Sequence, residues 1–437
     1  MPMLIINLLS GNGRSPQFSY NPAMNKPISP WQVLLAVGIG TCLSLIGDAA
    51  LYTVLPTHTA DAGVVLASVG ILLSANRWVR LATNGAVGWL SDRWPRRCVF
   101  VPALFLGALS TAIYALRPGF PLFLLGRMLW GIAWSGIWVA GNATIFDIAA
   151  DGNRGRWVGY YHISFFLGAA SGSLLGGLLT DWVGYRGAMG IAASLTLLGA
   201  VVALLFLPET RGEKEKAGAD TAVPNPKLSL FQTIELSAAV SLLGINRLVL
   251  AGILMSTFGL FLQQLLGDSV LVGRWTIGVA TLTGLGLGTT ALFNMASAPL
   301  VGRLSDRIGN RWRVATGSVT AGMIGFGLLA LGLPLAILIG LPLTSFSSGS
   351  NQGLSTALVG DLSGDGRRSG RGRSGRYLGI LFTVGDLGSA IGPPLAYALL
   401  PLWGIQGVYW LCVAALGIML LAVLWRQGRR QLPLPVK

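Results

Sequence analysis

Apolar runs of about 20 residues, long enough to cross a bilayer as α-helices, succeed one another along the chain with short polar breaks between them. Twelve segments qualify: 31–55, 65–88, 98–116, 119–145, 156–180, 187–207, 247–267, 275–299, 313–332, 334–359, 376–400 and 405–425. The longest polar connection, 208–246, opens Leu207-Pro208-Glu209-Thr210, continues Arg-Gly-Glu-Lys-Glu-Lys, and separates six segments from six. The pattern predicts an all-α membrane protein of twelve transmembrane helices. Its parts are an N-terminal tail (1–30), a six-helix bundle (31–207), a linker (208–246), a second bundle (247–426) and a C-terminal tail (427–437).

Composition agrees. Of 437 residues 53% are hydrophobic and 11% charged, against about 25% charged in soluble domains. The net charge of +15 does not imply nucleic acid, because the basic residues sit in short loops, where they act as topology signals beside anionic lipid. Of 31 lysines and arginines, 25 lie in alternate loops and the two tails, which predicts cytoplasmic termini. The opposite loops hold Arg117, Arg186 and Arg274 alone. The three cysteines make no disulfide framework, two of them (Cys42, Cys412) lying in apolar runs. His58 and His162 are the only histidines. No metal site, phosphate loop or dinucleotide fingerprint is present, so no cofactor is expected. Residues 1–23, ahead of a second methionine at Met24, read as disordered or as an artefact of start-codon choice.

One string occurs twice. Gly88-Trp-Leu-Ser-Asp92-Arg93-Trp-Pro-Arg96-Arg97 returns as Gly302-Arg-Leu-Ser-Asp306-Arg307-Ile-Gly-Asn-Arg311, 214 positions later, and Asp147 matches Asp361 at the same offset. Arg156-Trp-Val-Gly159 then matches Arg376-Tyr-Leu-Gly379 at an offset of 220, so the loop at 363–375 carries six extra residues. The halves are pseudo-symmetric.

The duplicated Gly-x-Leu-Ser-Asp-Arg loop resembles the cytoplasmic signature loop of the major facilitator superfamily of secondary transporters. That resemblance implies a substrate site between the halves near mid-membrane. It also implies that Asp92 faces the N-terminus of helix 11, whose dipole favours an anion. Arg93, Arg96 and Arg97 would pair with carboxylates such as Asp147 and latch the cytoplasmic side shut. Pro95 departs from the family, which has Gly there; proline holds φ near −65°, so the turn differs. Leu124-x-Gly126-Arg127-x-x-x-Gly131 resembles the intramembrane Arg motif of proton-coupled members. Gly168-x-x-x-Gly172-Ser173-x-x-Gly176-Gly177 is similar to the glycine motif of drug:proton antiporters, with Ser173 where that motif has Pro. Such small residues also serve simple helix packing.

A charge at the bilayer centre costs at least about 2.5–3.5 kcal/mol, so each needs a reason. The helices carry five: Asp48, Arg77, Arg80, Arg127 and Asp386. Asp48 and Arg127 lie at matched depth, about eight residues or roughly 12 Å from the outer ends of their helices, and make one candidate pair. Arg80 and Asp386 make another, on helices that meet across the halves in the family. The repeat places Asn294 opposite Arg80 and Phe166 opposite Asp386, so duplication does not explain that pair. It is expected to form as the cytoplasmic side closes; the bland alternative is a static pin between helices. Asn76, Arg80 and Asn84 share one helix face. With Arg77, Asn351 and Gln352 they are cavity candidates. Trp130, Trp134 and Trp138 form a stripe that either stacks on a substrate or packs. His162 reads as interfacial.

The resulting expectation is a proton-coupled exporter of small amphipathic molecules, monomeric, in the plasma (inner) membrane, working by alternating access. Its partners are the substrate, protons and the bilayer. An importer or facilitator is the alternative within transport. A non-transporting receptor or assembly factor fits the intact latch loops poorly, and no nucleophile–base or metal constellation suggests an enzyme. The topology has a direct test. Single cysteines at Thr59 and Ala219, in a background without native cysteines, should react with an impermeant thiol reagent from opposite sides of the membrane; same-side labelling would refute the assignment.

Overall fold

Among the described residues the long apolar runs are helical, because lipid leaves a backbone N–H or C=O no partner outside its own helix. A computed structural model describes residues 29–117, 119–149, 154–210, 230–364 and 372–430. The tail before residue 29, including 1–23, lies outside the described residues. The long helices are α1 (Pro30–Val54), α2 (Leu66–Ser91), α3 (Arg96–Ala115), α4 (Gly119–Ile148), α5 (154–183) and α6 (185–206). They continue with α7 (Leu230–Asn246, a π-helical stretch Arg247–Leu254, then Met255–Leu266), α8 (Val279–Ile308), α9 (Arg311–Ala330), α10 (Pro334–Gly364), α11 (372–403) and α12 (405–430).

The α5–α6 and α11–α12 turns are made by Gly184 (φ 76°) and Gly404 (φ 62°). Each needs the left-handed region that a side chain disfavours, and they recur at the repeat offset of 220. Eight continuous segments are long and apolar enough to span a membrane; the two containing these turns, of 52 and 49 residues, fold back on themselves. α2 and α10, which carry Arg77, Arg80 and Asn351, are not among the eight.

Two of the boundaries that differ from the sequence reading change what a segment is. α7 is already helical at Leu230, so the linker expected to reach 246 ends earlier. Gln232, Thr233 and Glu235 depress hydropathy without breaking the helix. Helix 8, expected from 275, begins at Val279. Ser269–Val272 and Trp275–Gly278 pair as an antiparallel hairpin instead. Gly273 (φ 64°) opens its two-residue turn, as tight hairpins require.

One buried arginine organises the first bundle. Arg127 on α4 is fully buried. It donates to Asp48 of α1 at 2.5 Å and to the Leu72 and Leu73 carbonyls of α2 at 3.0 and 3.4 Å. Tyr52 of α1 closes the ring, its hydroxyl donating to Leu73 O at 2.6 Å and its ring lying 5.5 Å from the guanidinium. A turn further along α4, a Cβ on Gly131 would meet the Asn76 carbonyl at 2.6 Å; glycine there lets α2 sit flush. Arg127 thereby sets where α2 presents Asn76, Arg77 and Arg80.

The halves touch through α5–α8 and α2–α11. A Cβ on Gly70 would meet Pro393 O at 2.8 Å, and on Gly288 Ala170 O at 3.1 Å; Gly177 and Gly284 abut the Ala280 and Ser173 carbonyls. Asp181 of α5 accepts from Thr281 N (2.9 Å) and Oγ1 (2.5 Å), holding the first turn of α8. These contacts cluster away from the signature loops. Towards the loops, a Cβ added to Gly85, Gly88, Gly159, Gly302 or Gly379 would meet nothing within 4 Å among the described residues, and much of that part of α2, α5, α8 and α11 is exposed. The interface is sealed at the Asp181 end and open at the loop end.

Removing one partner of a buried pair costs about 3–5 kcal/mol because the other charge is stranded. Arg127→Ala should therefore lower the thermal unfolding temperature of the purified protein sharply, and Asp48→Ala added to it should restore part of the loss. An Arg127→Ala protein as stable as the parent would show that the pin carries no load.

Candidate functional site

The signature loops form a pair of ion clusters, one per half. In the second half Arg311, the first residue of α9, reaches Asp361 at 2.6 Å and Asp306 at 3.1 Å. In the first half the equivalent contacts belong to Arg96, the first residue of α3: 3.2 Å to Asp147 and 3.8 Å to Asp92. The linear match of Arg97 to Arg311 is thus corrected by one position. Arg97 instead directs its guanidinium to the Leu204 carbonyl. Arg93 lies over Trp89, 4.0 Å from the ring centroid, rather than on a carboxylate.

The slip has a physical cause. The N-cap of α9 is Asn310, whose side chain accepts from Trp312 N and Arg313 N. The N-cap of α3 is Pro95, which has no acceptor. Glu209, just past α6, supplies it from a distance, accepting from Arg96 N at 2.9 Å and Arg97 N at 3.1 Å. Its neighbour Thr210 donates to Asp147 at 3.0 Å. A carboxylate on a helix N-terminus is favourable in charge as well as hydrogen bonding. Glu209 was not singled out from sequence, although Pro95 in a capping position is the signal for it. Asp92 and Asp306 remain 78% and 68% exposed, as suits loops at the open end. Gly88, Gly302 and Arg307 are also there, the first two clear of any neighbour.

Midway along α2 and α11 a second cluster bridges the halves. Arg80 Nη2 donates to both oxygens of Asp386 at 2.9 Å. One turn earlier Arg77 Nη1 donates to the Ser389 carbonyl at 2.8 Å. The expectation that the pair forms when the loop end closes is corrected: it is made here with that end apart. The pair lies at the head of the opening, where α2 and α11 still touch. Arg247 of α7 adds a third guanidinium beside the pair: its side chain packs on Gly385, the neighbour of Asp386, where an added Cβ would meet its Cγ at 3.5 Å. The sequence reading makes Arg247 the first residue of helix 7; the helix begins 17 positions earlier, at Leu230, which carries Arg247 into the bundle. The apolar run Leu236–Ile245 before it was the available signal.

Other cavity candidates divide. The tryptophans pack: Trp130, Trp134 and Trp138 stack in sequence at 6.0 and 5.6 Å. Trp134 is buried against Phe165, and Trp138 stacks on His162 at 5.2 Å. Trp134 therefore belongs to the first bundle's core rather than a cavity wall. Asn84 accepts from Ser135 at 2.8 Å, tying α2 to α4. Asn351 is fully buried and donates to Ser347 within its own helix, so it does not face open water; Gln352 is half-buried. Asn76 and Asn294 each bury a side-chain oxygen without a partner among the described residues.

A family model described as Major Facilitator Superfamily matches residues 37–372 and 277–436. The class B tetracycline resistance protein of Escherichia coli is 26% identical over 395 residues, covering 86% of this chain and 92% of the relative. The class C protein of the same species is 27% identical, covering 90% and 96%. Among solved structures, a bacterial homologue of the human lysosomal transporter Spinster, inward-facing and occupied, superposes with a TM-score of 0.73. It is 16% identical and covers 93% of this chain and 98% of that one. A human organic anion transporter gives 0.63 at 20% identity, covering 91% and 100%. The family match over most of the chain, the duplicated signature loops and the helical architecture agree: this chain belongs to the major facilitator superfamily and is an integral membrane transporter.

Proposed function

We propose that this transporter exports small amphipathic molecules in exchange for protons, as a monomer in the plasma (inner) membrane with both termini cytoplasmic. One observation carries the reading. The Arg80–Asp386 pair spans the two halves where α2 and α11 meet, between the sealed Asp181 end and the signature loops. A carboxylate in that position has two states with different consequences. Ionised, it compensates Arg80 and ties α2 to α11. Protonated, it loses most of that attraction and the halves are freer to rock. Coupling requires such a difference in binding between conformations. The signature clusters supply the other end of the cycle: Asp92, held beside Arg96, would meet the N-terminus of α11 when the loop end closes. Similarity to tetracycline resistance proteins makes tetracycline the first compound to try.

The test is proteoliposome transport under an imposed pH gradient. Arg80→Ala and Asp386→Ala should each abolish accumulation, and the double variant should regain stability without regaining coupling. Accumulation by the double variant driven by the pH gradient would show the pair to be structural and move the coupling carboxylate to Asp48.

Asp92→Asn should slow transport several-fold at unchanged expression, since a carboxylate at a helix N-terminus contributes about 0.3–1 kcal/mol and up to about 2 when partly buried. Normal kinetics in that variant would remove Asp92 from the latch.

A further inference from the structure

The charges inside the membrane do not cancel. Asp48 is committed to Arg127. That leaves Arg80 paired with Asp386, Arg77 on the Ser389 carbonyl one turn along α11 and Arg247 packed on Gly385, three guanidiniums against one carboxylate. Uncompensated charge at this depth is costly enough that it persists only with a partner or a use.

The cluster is also incompletely bonded. Arginine meets a carboxylate best through two parallel N–H donors, yet Arg80 reaches both Asp386 oxygens through Nη2 alone. Its Nε is buried and has no partner among the described residues. Arg77 spends Nη1 on a carbonyl and lies 5.1 Å from the centroid of the Tyr52 ring, contacts that bring no countercharge. Arg247 packs its side chain against Gly385, next to Asp386, and makes no side-chain hydrogen bond among the described residues. One turn from Arg80, Asn76 adds a buried, unpartnered side-chain oxygen able to accept from a hydroxyl or amide.

We infer that the molecule carried is an organic anion whose carboxylate, or similar acidic group, docks between Arg80 and Arg247 beside Asp386. This deepens the transport reading and rests on it. The anion completes the Arg80 fork and supplies the second negative charge that the three guanidiniums lack. A cationic substrate would meet net repulsion from the same groups. Asp386 and the anion then compete for Arg80, so substrate and carboxylate share one partner.

Binding without any gradient separates this inference from the proton-coupling proposal. Purified full-length protein would be titrated with matched acids, methyl esters and amines on benzene, naphthalene and tricyclic scaffolds, following the unfolding temperature at pH 7.5 and constant ionic strength. Acids should stabilise saturably and their esters and amines should not. Arg247→Gln should weaken the effective acids at least about tenfold, a loss of about 1.4 kcal/mol, while Arg247→Lys, which keeps the charge, retains most of the affinity. A panel in which no acid exceeds its amine would overturn the assignment. So would acid binding unchanged in Arg247→Gln, or full displacement by chloride or sulfate at equal concentration, which would make the cluster a counter-ion hole. Displacement only by phosphatidylglycerol in the micelle would assign it to lipid and equally sink the proposal. Failure of pH-driven transport with acid binding intact would leave this inference standing and remove only the coupling.

Discussion

The cost of leaving a charge uncompensated in the membrane is the constraint on which the rest of this structure depends. Arg127 cannot sit buried in α4 unless α1 and α2 bring it a carboxylate, two carbonyls and an aromatic face, and they do. That demand fixes the mutual placement of three helices. The same demand, met less completely, operates at Arg80, where the compensating carboxylate comes from the other half of the molecule. A complete compensation makes a pin. An incomplete one, divided between two bodies, leaves a place for a ligand or a proton to change the balance.

Packing supplies the complementary constraint. At the sealed end α5 and α8 approach until a Cβ on Gly177 or Gly284 would strike backbone, and Asp181 ties the first turn of α8 to α5. Small residues permit contact at backbone range, where dispersion and weak polar contacts replace a hydrophobic driving force that lipid does not provide. Such an interface can be made or parted as a unit, which suits rigid halves that rock.

The two halves share a plan and differ in execution. Arg96 and Arg311 both open a helix and both hold two aspartates. Asn310 caps its helix locally, whereas Pro95 forces the task onto Glu209, at the start of the connection between the halves. The foot of the first bundle is thereby fastened to the chain that leads to the second. The central cluster breaks the symmetry outright, with Arg80 facing Asp386 where the repeat would place Asn294 and Phe166.

Much of this was legible in the order of residues. Apolar runs of bilayer length dictate helices, because no other conformation satisfies the backbone in lipid, and the string at Gly88 and Gly302 marks the duplication. Asp48, Arg127, Arg80 and Asp386 stand out because charge in an apolar run is rare. Other features depended on distance in space. The one-residue slip that gives Arg96 the role of Arg311 arises from a capping contact with Glu209, more than a hundred positions away. Arg247 joined the central cluster only once α7 was seen to begin at Leu230. The stripe of tryptophans on α4 has the same spacing whether it faces a cavity or a core, and only the approach of Phe165 and His162 decides for the core. Spacing along one helix determines which residues share a face. What that face meets is set by the packing of other helices against it, a property of the whole fold.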